Sequence, residues 1–189
     1  DPYSSADDSF LQMTYLLNIC GEELSQAFHW ESLAKQWEFV TQIGDNGEYS
    51  LPADWLYITN QTAWNNAESV PLFGPLSAQD WSYLIGRDLV DVTTYPSWRI
   101  WGGKFQIFPA QNEQTNIRLE YSSRNWVIDS ASPDMHKDSC QTGADIPMFD
   151  RTLISRMLKM KFLEAKGFDT TKAQADFNQL FDALTGHDK

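Results

Sequence analysis

The amino-acid sequence predicts an α+β fold in which terminal helices form a bundle and a small antiparallel β domain is inserted between them. Two observations carry that prediction. Near both ends apolar residues recur at alternating spacings of three and four, the period of an amphipathic helix, whereas the middle shows short alternating runs rich in aromatics. The clearest of those runs, Trp98-Arg99-Ile100-Trp101 and Lys104-Phe105-Gln106-Ile107-Phe108, flank Gly102-Gly103. A two-residue Gly-Gly loop supplies the positive φ angles that a tight hairpin needs. The expected boundaries are 1–46 and 149–189 for the helical bundle, 47–128 for the β insertion and 129–148 for a polar loop.

Asp7-Asp8-Ser9 can cap a first helix, whose apolar positions are Phe10, Met13, Leu17, Cys20, Leu24 and Ala27. Gly21 weakens that pattern and is read as a kink or a break. Trp30, Leu33, Trp37 and Val40 read as a second helical stretch that Gly44 stops, and Asp45-Asn46-Gly47 as a turn. Tyr49 to Ile58 and Ala63-Trp64 read as extended segments interrupted by Pro52. Phe73-Gly74-Pro75 punctuates the chain, and Ser77-Ala78-Gln79-Asp80 opens a short helix through Trp81, Leu84 and Ile85. Across the hairpin Ile100 faces Phe105 and Trp98 faces Ile107, giving one apolar face. A further strand, Ile117 to Tyr121, alternates Ile117, Leu119 and Tyr121 with Arg118 and Glu120. Residues 129–148 are polar, contain two prolines and read as a long loop. Asp150 can cap a helix through Leu153, Ile154, Met157, Leu158, Phe162 and Ala165, closed by Gly167. Thr171-Lys172-Ala173-Gln174 reads as a capping box before Phe177, Leu180, Phe181 and Leu184, with Gly186 as the stop.

A chain of 189 residues suffices for one domain, or for a domain carrying an insertion. At 42% hydrophobic and 21% charged it is neither a disordered chain nor a coiled coil. Aromatics make up 14%, with eight tryptophans, and large rigid aromatics serve cores and protein–protein contacts. A formal charge of −12 argues against gripping nucleic acid or an anionic membrane, though not against letting nucleic acid past. No apolar run approaches the roughly 20 residues of a membrane span, and no signal-peptide pattern opens the chain. The missing initiator methionine reads as a processed or trimmed start. Cys20 reads as a small core residue suited to a reducing cytoplasm, with a Cys20–Cys140 disulfide as the lesser alternative.

Groups for chemistry are scarce. Of three histidines, His29 lies beside Trp30, His136 in the long loop and His187 in the tail. Asp134, His136, Asp138, Cys140 and Asp145 are metal-capable, but their spacing matches no zinc or calcium loop and lacks the glycine a calcium loop turns on. They read as a solvated polar loop, and no metal or other cofactor is assigned. Gly102-Gly103 lacks the helix and Lys-Ser/Thr pair of a phosphate loop, and no Gly-x-Ser-x-Gly elbow is present. Glu22-Glu23, Asp7-Asp8 and Asp88/Asp91 could be imagined as paired carboxylates. Neighbours on a helix point different ways, however, and 26 acidic residues make chance pairs inevitable. No catalytic residue is assigned, and the chain reads as non-enzymatic.

Two sets of residues are candidates for partner contacts. Arg151, Arg156, Lys159, Lys161 and Lys166 cluster in one helical segment of an acidic chain. They read either as a solvated face with cations favoured towards a helix C-terminus or as a docking face for an acidic partner. Trp55, Trp64, Trp81, Trp98, Trp101 and Trp126 fall in the β-rich part. They either fill its core or stand exposed as an interface or a sugar-stacking platform, with Trp55, Trp64, Trp98, Trp101 and Trp126 as the candidate interface aromatics.

The order of landmarks carries a resemblance. Phe39-Val40-Thr41 precedes a polar turn, then come Tyr49-Ser50-Leu51-Pro52-Ala53-Asp54-Trp55 and Gly74-Pro75-Leu76-Ser77. Trp98-Arg99-Ile100-Trp101-Gly102-Gly103-Lys104 leads to Ile107-Phe108-Pro109-Ala110, followed by Leu119-Glu120-Tyr121-Ser122-Ser123-Arg124-Asn125-Trp126-Val127. Asp145-Ile146-Pro147-Met148-Phe149-Asp150 and Phe162-Leu163-Glu164-Ala165-Lys166-Gly167 complete the series. Over roughly residues 35–186 the chain resembles the head-to-tail connector or adaptor proteins of short-tailed, podovirus-type phages, the tail tubular protein A-like family. The resemblance implies a helical bundle with a β insertion, assembled as a homo-oligomeric ring, dodecameric to match the portal. It implies the portal protein and a tail or nozzle protein as partners, with DNA passing through the lumen unbound and no membrane. It places the protein in the virion neck or tail after assembly in the host cytoplasm. No catalytic residue carries over, because the role is architectural. The rival reading is a glycan-binding β module of a virion or secreted protein, which leaves the helices at both ends unexplained. A virion-borne cell-wall hydrolase would need a placed acid and base.

Overall fold

The computed structural model describes residues 8–86, 96–110 and 113–187. Among them are four α-helices: α1 (Asp8–Ala27), α2 (Ala78–Gly86), α3 (Arg151–Ala165) and α4 (Thr171–His187). The strands are short: β1 (Ala34–Val40), β2 (Glu48–Ser50), β3 (Trp55–Ile58), β4 (Trp64–Asn65), β5 (Val70–Pro71), β6 (Ser97–Trp101), β7 (Lys104–Phe108), β8 (Asn116–Ser123), β9 (Val127–Ile128), β10 (His136–Lys137) and β11 (Ile146–Pro147). The α+β class expected from the sequence is the one observed. The chain divides into two units, Asp1–Leu33 with Arg124–Lys189, and Ala34–Ser123.

In the first unit α3 packs against both α1 and α4. Cys20, Leu24, Leu33, Trp126, Val127 and Leu153 are its most deeply buried side chains, joined by Trp30, Phe149, Ile154 and Met157. Trp126 stacks on Phe149 with centroids 5.9 Å apart, and Trp30 meets Phe149 and Phe181 edge-on at 5.5 and 6.1 Å. The Trp30 indole N–H donates to the Leu24 carbonyl at 2.6 Å, so this aromatic core still satisfies that donor. Gly21 does not break α1, which runs through it from Asp8 to Ala27. A Cβ built on it would lie 2.1 Å from the Trp126 ring, so the glycine is the seat of that indole.

The cap of α3 is the expected one. Asp150 Oδ1 accepts the N–H groups of Thr152 and Leu153 at 2.8 and 2.9 Å. At its other end Phe168 N–H reaches the Leu163 carbonyl and Gly167 N–H the Glu164 carbonyl, both at 3.0 Å, with Gly167 at φ +73°. That is a Schellman ending. The start of α4 differs from expectation. Thr171 is its first helical residue, and its N–H and hydroxyl both donate to Asp169 Oδ1, at 3.0 and 2.6 Å. The hydroxyl is therefore turned away from Gln174, whose N–H goes to the Thr170 carbonyl at 2.8 Å.

Residues 129–148 are more ordered than the plain loop expected. β9 pairs with β10 on one side and β11 on the other, in a three-stranded sheet. The segment is gathered around Asp145, whose side chain is fully enclosed. Asp145 Oδ2 accepts from Lys137 Nζ at 2.9 Å and from the N–H groups of Gln141 and Thr142 at 2.8 Å. Cys20 and Cys140 are buried free thiols in this unit's core, and burial pushes both up to about 11.

The second unit begins with a correction. Residues 34–40 form not the expected helix but the edge strand β1, after a single 3-10 turn at Glu31–Leu33. Lys35, Trp37 and Phe39 are half-buried while Ala34, Gln36, Glu38 and Val40 face out, a period of two that the shared residues Trp37 and Val40 disguised as helical. β1 pairs antiparallel with β8 over seven residues, from Ala34↔Ser122 to Val40↔Asn116. The sheet order is β1-β8-β4-β5, with β3 also on β8. A second sheet, β2-β7-β6, holds the hairpin in the expected register, Ile100↔Phe105 and Trp98↔Ile107, with Gly102 and Gly103 at φ +59° and +74°. Ile58, Leu72, Trp98, Phe105, Ile107, Ile117, Leu119 and Tyr121 make this unit's own core. Ser77 caps α2 reciprocally with Asp80: its Oγ accepts the Asp80 N–H at 3.1 Å and its hydroxyl donates to Asp80 Oδ2 at 2.7 Å.

Candidate partner-docking site

Among the described residues no three His, Cys, Asp or Glu side chains gather around a point where a metal ion could sit. Asp145 is spent on the fold. Burial pushes its carboxyl up, but the Lys137 ammonium and the backbone N–H groups of Gln141, Thr142 and Ser130 outweigh that and hold it far below the usual carboxylate range. Of the imagined carboxylate pairs, Glu22 is exposed and Glu23 is paired with Lys161 at 2.7 Å; Asp7, Asp88 and Asp91 lie outside the described residues. No helix of the described residues is long and apolar enough to cross a membrane.

The five cations of residues 151–166 do not form one face. Arg156 Nη1 donates to the Asp176 carbonyl of α4 at 2.6 Å, and Lys161 reaches Glu23 of α1. Both tie α3 to its neighbours. Arg151, Lys159 and Lys166 are exposed, the last with its ammonium 5.5 Å from the Phe162 ring centroid. At about 100° per residue Arg151 and Lys159 project about 80° apart, on the side of α3 opposite buried Met157. Arg151 also borders a cavity of about 510 Å³ with Ile146, Phe149 and Ile154.

The candidate aromatics divide as well. Trp98 and Trp126 are buried within their own units. At 1% and 0% exposure they are the largest fully buried side chains, one in each core. Trp55 is half-buried against the core of the second unit. Trp64 and Trp101 reach the surface, at 39% and 62% exposure, from different sheets.

Sequence reasoning passed over Arg99, although the alternation of the hairpin was enough to find it. With Trp98 and Ile100 turned to the core, Arg99 and Trp101 share the opposite face of β6, next to Gln106 and Phe108 of β7. α2 lies on that face through the buried Trp81, which meets the Phe108 ring edge-on at 6.2 Å. The Arg99 guanidinium sits 4.4 Å from the Trp81 ring centroid and 5.3 Å from that of Trp101. Its Nε donates to Gln106 Oε1 at 2.8 Å, and Gln106 Nε2 donates in turn to Glu48 Oε1 at 2.8 Å. Lys104 completes the chain by pairing with Glu48 Oε2 at 2.8 Å, and these two bonds hold the Glu48 carboxyl below its ordinary value. Beside Arg99 lies a cavity of about 340 Å³, walled by Trp81, Ile85, Phe108 and Ala110. Elsewhere, Phe10, Leu11 and Tyr15 leave an apolar stretch of α1 exposed.

A protein-family model described as SU10 adaptor protein matches residues 2–188. No curated protein matches the chain.

Proposed function

Because the chain belongs to the SU10 adaptor protein family, a family of phage adaptors, we propose that it is one subunit of a head-to-tail ring joining the capsid portal to the tail and letting DNA pass. The observation that carries the proposal is the extent of the family match, which spans both units rather than one module. Physical features support it. A ring through which a genome moves gains from not binding it, and each neutralised phosphate would add affinity, so a chain of charge −12 is suited to a lumen wall. Exposed Phe10, Leu11, Tyr15 and Trp101 are the kind of large apolar groups that anchor subunit contacts. Arg151, Lys159 and Lys166 offer an acidic neighbour a salt-sensitive contact. Such a role asks for surfaces and no reacting group.

In this reading the ring is a dodecamer matching a portal, located in the virion neck after assembly in the host cytoplasm. The subunit need not close into a ring alone, since a portal that presents preformed sites lowers the entropic cost of ordering each copy. The test is to mix purified protein with its cognate portal and determine the mass and rotational symmetry of the product by electron microscopy. A closed ring seated on the portal is expected. Failure to associate with the portal at any salt concentration overturns the assignment.

A further inference from the structure

The outer face of the β6–β7 hairpin contains a charged group whose donors are only partly used. Arg99 Nε is committed to Gln106, but its two Nη groups have no partner among the described residues. The guanidinium is nevertheless fixed in place, stacked between the Trp81 and Trp101 rings and aligned by the Gln106–Glu48–Lys104 chain. A guanidinium on an indole wall is poorly hydrated and already ordered, so it loses little water and little side-chain entropy when an anion binds.

Three features select the anion. Lys104, the neighbouring cation, is already paired with Glu48, so the site offers one unneutralised charge. One charge with a forked pair of donors fits a single carboxylate. A nucleic-acid backbone would need several cations and would meet Glu48 and the chain's overall −12 charge. Apart from Asn46 and Gln106 the adjoining walls are apolar, with Ile85 about half exposed and Phe108 and Ala110 beside it, in a cavity of about 340 Å³. An aliphatic side chain next to the carboxylate would bury those walls. We propose that this cavity is a recognition site for an acidic residue flanked by aliphatic side chains on a partner polypeptide. On the adaptor reading, which this inference deepens, that partner is another protein of the virion.

The probes are the peptides acetyl-Leu-Asp-Leu-amide and acetyl-Leu-Asn-Leu-amide, which differ only in charge at the central residue. Each is titrated into the full chain while the Arg99 Nε–H and the Trp81 and Trp101 indole N–H signals are followed by NMR. The Asp peptide is expected to shift these signals and to bind about tenfold or more tightly than the Asn peptide. Arg99→Gln should abolish that preference, and Arg99→Lys should keep part of it. Should Arg99→Gln fail to fold, Arg99→Met retains the stacked stem without the charge. Trp101→Ala, at an exposed position, should weaken both peptides alike. Equal binding of the two peptides overturns the proposal, as does tighter binding of a thymidine oligonucleotide than of the Asp peptide. The virion partners separate the two readings. If Arg99→Gln joins the portal and tail proteins as well as wild type does, and the Asp peptide has no preference, the site falls and the adaptor stands. If wild type joins neither but prefers the Asp peptide through Arg99, the adaptor falls and the site stands.

Discussion

Gly21→Ala should destabilise the helical unit, although alanine is the better helix former. In an exposed helix interior the change would stabilise by about 1 kcal/mol. Here the new Cβ would lie 2.1, 2.2 and 2.4 Å from three atoms of the Trp126 six-membered ring, against an ordinary contact of 3.4 Å or more. The indole would have to retreat by about 1.3 Å, the difference between 3.4 and 2.1 Å. It has nowhere to go: Trp126 is fully buried and stacked on Phe149. Overpacking of that kind costs about 3 kcal/mol at the upper end of the usual range, leaving a net loss of about 2 kcal/mol. Urea unfolding followed by circular dichroism at a helical wavelength measures it, with Trp126→Phe and the double variant alongside. Phenylalanine removes ring atoms that clash, so the double variant should be more stable than the sum of the single changes predicts. A Gly21→Ala protein more stable than wild type would show helix propensity winning and refute the account of Trp126's seat.

The hairpin, the acidic knot and the basic helix give further tests. Replacing Gly102 and Gly103 by valine puts β-branched residues at φ +59° and +74°, costing about 1–2 kcal/mol each; an unchanged melting temperature would contradict the turn geometry. Asp145 is depressed in the folded state, so its stabilising contribution is complete above the unfolded carboxylate value near about 4 and is lost as pH falls through the folded one. Asp145→Asn should therefore be less stable at pH 7 and lose less than wild type on acidification, and parallel pH profiles for the two proteins would refute the assignment. Lys159→Glu should weaken portal binding with little change in melting temperature, whereas Arg156→Glu should lower the melting temperature by breaking the bond to Asp176, and equal melting curves would show that bond to be idle.

The sequence disclosed elements whose signal is local and strong. Asp150 and Gly167 bracket α3, the Gly-Gly pair sets the register of β6 and β7, and Ile117, Leu119 and Tyr121 alternate inward on β8. It misled where two periods overlap. Trp30, Leu33, Trp37 and Val40 satisfy a helical spacing, but Phe39 lies two residues from Trp37, and seven ladder pairs to β8 decide for the strand. β9, β10 and β11 were hidden because two-residue strands have no period to detect, and because Asp145 turns its polar side chain inward rather than to solvent. The same holds for the candidate surface. Charge alone grouped Arg156 with Lys159, and only the position of Asp176 on α4 separates a structural cation from an exposed one.

The division into two cores makes the proposed surfaces separable by experiment. The buried cluster around Trp126, Leu153 and Leu24 draws every member from the first unit, and the cluster around Trp98, Phe105 and Leu119 draws every member from the second. Lys159 stands on the first unit and Arg99 on the second. The two clusters share no buried residue, so the packing effect of each substitution is checked by the unfolding of the unit that carries it. A docking defect without a change in either unit's unfolding then belongs to the contact itself. Combining Lys159→Glu with Arg99→Gln extends the logic. If the two surfaces meet different partners, each change should impair one association and leave the other intact. If both meet the same partner, the double variant should lose binding by the product of the two single losses.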